Sequence, residues 1–83
     1  MQKIIIYTTT TCPYCVRAKA LLDLKGATYQ EINAEDPSVR EEMVHKAGGR
    51  KTVPQIFIGD FHVGGCDDLY ELEKKGKLDE RLT

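Results

Sequence analysis

The chain carries almost no net charge: 12 Lys and Arg stand against 13 Asp and Glu, a formal balance of -1 over 83 residues. That removes the electrostatic case for nucleic acid, which calls for a clustered basic face. It equally removes the case for an anionic membrane surface. No apolar run approaches the roughly 20 residues of a membrane span. The apolar part of residues 1–7 is also too short for a signal peptide, so a cytoplasmic protein is expected. There is no repeat, linker or low-complexity tract, and the length fits one domain, 1–83, with no room for a second. An even cysteine count is missing as well. Three cysteines do not make a purely structural disulfide framework. In a compartment where thiols are kept reduced, a close pair points to catalysis or to metal binding.

What is present alternates between strand-like and helix-like segments. Ile4-Ile5-Ile6 is a β-branched run without polar alternation, the pattern of a central strand buried on both faces. A polar loop, Thr8-Thr9-Thr10-Thr11, follows. Pro13 suits the first position of a helix over 13–25, which Gly26 ends. Residues 28–33 form a weaker strand, so the first part of the chain closes as a parallel βαβ unit. Asp36-Pro37 opens a second helix over 37–47, with Val39, Met43 and Val44 near one face. Strand 55–58, a Gly59-Asp60 turn and a return over 61–63 make a hairpin. Asp67 and Asp68 lie in the first turn of a third helix, where acidic side chains suit the dipole. Gly76 stops it, and 78–82 adds a short turn.

The chemistry sits at the first strand-to-helix junction, in Cys12-Pro13-Tyr14-Cys15. Only a thiolate attacks a disulfide, and a helix N-terminus stabilises one by its unpaired N–H groups and partial positive charge. Cys12, at the exposed end, is the expected nucleophile. Cys15, one turn inward, resolves a mixed disulfide by closing an intramolecular one. The alternatives are two inert buried cysteines or a zinc site, which usually takes four ligands. Cys66 with His62 or His45 would have to supply the second pair, and neither spacing matches the common patterns.

Two further motifs are ambiguous on local grounds. Thr52-Val53-Pro54 precedes a strand. The proline either marks a sheet edge or forms a cis Val53–Pro54 bond that turns the Val53 backbone outward to pair with an extended thiol peptide. Gly64-Gly65-Cys66-Asp67-Asp68 reads as a hairpin end followed by an acidic cap. It reads equally as a ligand site, in which the Cys66 and Asp67 N–H groups take a carboxylate and Asp67 takes an amine.

Taken together, Thr11-Cys12-Pro13-Tyr14-Cys15, Thr52-Val53-Pro54-Gln55-Ile56-Phe57-Ile58 and Gly64-Gly65-Cys66-Asp67-Asp68-Leu69 resemble a glutaredoxin of the bacterial dithiol type, over essentially the whole chain. The CPYC sequence differs from the CGPC usual in thioredoxins. The resemblance implies an α/β thioredoxin fold, a four-stranded mixed sheet flanked by three helices. It implies that Cys12 and Cys15 are catalytic and that glutathione is the reductant. Carried over residue by residue, the glutathione-binding positions are Tyr14, Thr52, Val53, cis Pro54, Gly65, Cys66 and Asp67. No metal is expected. The implied partners are glutathione and disulfide-containing or glutathionylated proteins, without nucleic acid or membrane, and the protein is expected to be a monomer.

Two points stay open at this level. Many relatives carry a Lys shortly before the first cysteine, near the glycine carboxylate of glutathione, and here the segment is uncharged. Arg50 or Lys51 stands in for it, or both are solvated loop charges. Cys66, at a helix start, is either activated and oxidisable or a small residue packed beside the site. The competing functions are an iron–sulfur carrier, which Pro13 disfavours because cluster-binding relatives usually have Gly there, and a thioredoxin-like donor reduced by a flavoenzyme.

Overall fold

The computed structural model describes residues 2–82. The elements run β1 (Ile4–Thr8), α1 (Pro13–Leu24), β2 (Gln30–Asn33), α2 (Pro37–Lys46), β3 (Gln55–Ile58), β4 (Phe61–Gly64), α3 (Cys66–Lys74) and α4 (Leu78–Leu82). The four strands form one sheet in the order β2-β1-β3-β4. β2 is parallel to β1, while the β1–β3 and β3–β4 pairs are antiparallel. This is the mixed sheet of a thioredoxin fold.

Period-2 alternation sorts the apolar residues between the two faces. Ile4 and Ile6 of β1 and Ile56 and Ile58 of β3 join Ala18, Leu21, Leu22, Leu69 and Leu78 in the larger core, beneath α1, α3 and α4. Tyr7 joins Met43 and Ala34 on the opposite face, with the half-buried Ile5 and Phe57 packed against them. The three isoleucines therefore do serve both faces.

The helix boundaries follow from their caps. The Cys12 sulfur accepts from the Cys15 N–H at 3.1 Å, and Pro13 takes the first turn, where its missing N–H costs nothing. Asp36 Oδ1 accepts from the Ser38 N–H at 2.8 Å and opens α2. α1 ends at Leu24, with Lys25 as the cap, and Gly26 follows at φ +69. The second strand is shorter than the sequence suggests. Pairing with β1 begins at Ile5–Gln30, so Thr28 and Tyr29 stay outside the ladder and Tyr29 packs against the larger core instead. In the hairpin, Ile56 opposes Gly64 but Phe57 opposes His62, leaving Val63 as a bulge. β4 thereby runs to Gly64, with only Gly65, the N-cap, between it and α3.

Candidate functional site

Three loops meet at the end of the sheet that carries the start of α1. Cys12 and Cys15 are joined in a disulfide, with their Cα atoms 5.2 Å apart. Both are buried, but unequally: Cys12 keeps 8% of its surface and Cys15 1%. Cys12 is thus the sulfur an incoming group reaches, although it is far less open than a helix end alone suggests. Its Sγ lies 3.8 Å from the Val53 carbonyl oxygen, which brings a segment 41 residues away onto the redox pair. The Val53–Pro54 bond is cis.

A groove of about 370 Å³ opens beside the disulfide. Tyr14, more than half exposed, forms one wall. Thr52, Val53 and Pro54 form another, and Gly65, Cys66 and Asp67 at the start of α3 form the third. Every residue expected to bind glutathione therefore lines one cleft. Two more residues complete it, Arg50 and Asp68.

Arg50 and Asp68 are linked to each other and to the backbone. Arg50 Nη1 is 3.0 Å from Asp68 Oδ2, and the same oxygen accepts from the Gly65 N–H at 2.8 Å. That N–H, with Arg50 beside it, holds the Asp68 carboxyl below the usual carboxylate range, against the opposing effect of burial. Gly64 makes the arrangement possible. Its φ is +112, and a Cβ there would run into the Asp68 carboxylate and come within 2.6 Å of Arg50 Nη1.

Position separates Arg50 from Lys51. Arg50 lines the groove. Lys51 does not; its side chain is exposed and its carbonyl accepts from Arg40 Nη1 at 2.9 Å. Arg50 lies against Gly64, Gly65 and Asp68, at the α3 end of the groove. Activation of Cys66 is not what the structure provides. The residue is 4% exposed, and burial pushes its thiol above the ordinary range. It packs into the larger core while one side touches the groove. Among the described residues, no three His, Cys, Asp or Glu side chains gather into a metal site. His62 is instead bonded to Gln55.

Sequence reasoning passed over the linkage of Asp68 to Arg50 and the pairing of His62 with Gln55. The signal for the first was the glycine pair: two residues without side chains leave room for a charged pair above them. The second had no local signal, because the two residues sit on different strands.

The site agrees with the comparisons. A family model described as Glutaredoxin matches residues 4–63. A curated relative named Glutaredoxin from Pseudomonas aeruginosa is 56% identical over 84 residues, spanning 100% of this chain and 99% of its own. The solution structure of glutaredoxin from Brucella melitensis superposes with a TM-score of 0.87 at 60% identity, covering 99% of this chain and 89% of that one. The crystal structure of a buckwheat glutaredoxin–glutathione complex superposes with a TM-score of 0.86 at 37% identity, covering 95% and 74%.

Proposed function

The chain belongs to the glutaredoxin family, with the thiol–disulfide chemistry of its Cys12–Cys15 pair, and from that premise we propose that it draws its electrons from glutathione to reduce glutathionylated and disulfide-bonded proteins. The observation that carries this reading is the groove that joins Val53, the start of α3 and Arg50, with the Cys12 sulfur held against the Val53 carbonyl at its edge.

Each part of glutathione has a chemical counterpart there. The first N–H groups of a helix have no carbonyl behind them. At α3 the Gly65 N–H is taken by Asp68, and the next two belong to groove-lining residues, Cys66 and Asp67. They suit the γ-glutamyl carboxylate, and the Asp67 carboxylate suits the neighbouring ammonium. The extended cysteinyl unit pairs with the Val53 backbone, which brings its sulfur to Cys12. Arg50 spends Nη1 on Asp68, and its guanidinium has further donors for a ligand carboxylate.

The steps balance as thiol–disulfide exchange. The reduced Cys12 thiolate attacks the glutathionyl sulfur of a substrate, and the substrate thiol leaves with a proton. A second glutathione thiolate attacks the Cys12–glutathione bond, releases glutathione disulfide and restores Cys12. On a protein disulfide, Cys12 first forms a bond to the substrate. Cys15 then attacks Cys12 and frees the reduced substrate, which leaves the Cys12–Cys15 disulfide seen here. Two glutathione molecules reopen it. The Cys15 N–H that points at Cys12 Sγ stabilises the thiolate as it appears.

The test is a coupled assay with glutathione, glutathione reductase and the mixed disulfide of glutathione with 2-mercaptoethanol. Turnover that depends on glutathione and disappears in Cys12→Ser supports the reading. Turnover with a flavoenzyme thioredoxin reductase but not with glutathione overturns it.

A further inference from the structure

We propose that Gln55 is a positioning residue for glutathione recognition, its buried amide anchored by His62 at one end and holding the Thr52–Val53 backbone against Cys12 at the other. The inference rests on the glutathione reading above.

Gln55 opens β3 opposite Tyr7 of β1 and is fully buried at 0% exposure. An apolar side chain would suit such a place better, because a buried amide loses its water contacts and must be repaid in hydrogen bonds. Here it is fully engaged. Nε2 donates to the Thr52 carbonyl oxygen at 3.0 Å and lies 3.2 Å from Thr52 Oγ1. Oε1 is 2.7 Å from His62 Nε2. Both amide hydrogens therefore go to one residue, and that residue is the neighbour of Val53. Thr52 is itself exposed and lies outside regular secondary structure, so the sheet ladder does not fix it. The Gln55 amide ties it to the sheet.

The Thr52 carbonyl decides which way round the amide lies: it only accepts, so it faces the NH₂, and the amide oxygen is left for His62. An amide oxygen only accepts, so the ring nitrogen facing it must carry a hydrogen. Imidazole with its hydrogen on Nε2 and imidazolium both meet that condition, so the contact survives protonation of the ring. Were the amide reversed, its oxygen would face the Thr52 carbonyl, a repulsive contact that no choice of His62 tautomer removes. The ring is held for this task by stacking on Phe57, with centroids 4.7 Å apart and planes 19° apart. The chain of contacts thus runs from Phe57 through His62 and Gln55 to Thr52. The next residue, Val53, places its carbonyl 3.8 Å from Cys12 Sγ.

A residue that only stabilised the fold would change melting and leave ligand recognition alone. A residue that positions Val53 changes the KM for a glutathionyl substrate and spares the nucleophile. In Gln55→Met, which keeps the length and loses every hydrogen bond, the KM for the glutathione–2-mercaptoethanol mixed disulfide is expected to rise about tenfold, the scale of one or two lost hydrogen bonds. The kcat and the rate at which iodoacetamide alkylates reduced Cys12 should stay within about twofold. His62→Phe keeps the stacked ring and loses the partner of the amide oxygen, and its KM is expected to rise about threefold, a smaller loss because the bonds from the amide nitrogen to Thr52 remain. A wild-type KM in folded Gln55→Met overturns the proposal. Should Gln55→Met fail to fold, a wild-type KM in His62→Phe overturns it instead. A fall in alkylation rate that matches the loss of turnover also overturns it, since the effect would then lie on Cys12. A wild-type protein that does not turn over the mixed disulfide defeats the glutathione reading itself, which separates that failure from this one.

Discussion

Arg50 and Asp68, 18 residues apart in the chain, meet at 3.0 Å beside the groove, and the oxygen they share also caps α3 through the Gly65 N–H. One carboxylate thus caps a helix and lines the groove. Asp68→Ala is expected to destabilise the fold by about 1 kcal/mol, the usual cost of a lost helix cap, and to lower Tm by roughly 4–8 °C for a domain of this size. The loss should depend on pH. The Asp68 carboxyl is held below its ordinary value in the folded state, so its contribution is present above about pH 4 and is lost as the pH falls through the folded value. Thermal melts of wild type and variant at pH 7 should differ, and those at low pH should converge.

Arg50 and Lys51 are adjacent cations, and only Arg50 lines the groove. Arg50→Ala should raise the KM for glutathione about fivefold, in keeping with about 1 kcal/mol for a partly exposed ion pair. Lys51→Ala should leave it within about twofold, because a charge outside the groove is screened by water and salt. Steady-state kinetics at low ionic strength check both, and equal effects from the two variants would remove Arg50 from recognition.

Asp67 lies exposed at the mouth of the same cleft, in the first turn of α3. Asp67→Lys places a cation where the γ-glutamyl ammonium is proposed to sit, and like charges in one site repel. The KM for glutathione should rise at low salt, with the increase shrinking as salt is added. An unchanged constant at low salt would dissociate Asp67 from the ligand.

His62 gives the fold a pH dependence of its own. Burial depresses its pKa, and the Arg50 charge adds to this, while Asp68 opposes it. The folded state therefore favours the neutral ring. Stability from this source is complete above the unfolded value of about 6.5 and is lost as the pH falls through the lower folded value. In His62→Gln, the urea midpoint should change less than in wild type between pH 7.5 and 5.5. Parallel curves would show that His62 contributes nothing to the slope.

The two cysteines should separate by substrate. Cys12→Ser should abolish every activity, since a serine hydroxyl is not ionised at neutral pH. Cys15→Ser should keep activity on glutathionylated substrates, where a second glutathione completes the cycle without a resolving thiol. It should lose activity on intramolecular protein disulfides, where a neighbouring thiol releases the trapped substrate far faster than one from solution. Equal loss in both assays would refute the assignment.

The redox centre was legible in the sequence because it is local. A buried β-branched strand, a polar loop and a proline in the first helical turn place Cys12 and Cys15 within one turn of each other, and no distant contact is needed for that. The Gly59-Asp60 turn and the glycine after α1 were legible for the same reason: each depends on its own backbone. The boundary of β2 was not, because a strand begins where its partner begins, and that partner, Ile5, lies in another segment.

Tertiary structure alone decided which member of each neighbouring pair faces the groove. Arg50 and Lys51 have the same charge and differ by one position in an irregular loop, yet the packing of that loop against Gly64 and Arg40 sends them to different surroundings. Cys66 stands at a helix start, which by itself favours a thiolate. Its burial against the larger core removes water from around it, and that effect prevails. Gln55 looks in sequence like one polar residue at the head of an apolar strand. Its role depends on a histidine from the next strand and a threonine from the preceding loop, and hydrogen bonds between separate segments leave no trace in periodicity or composition.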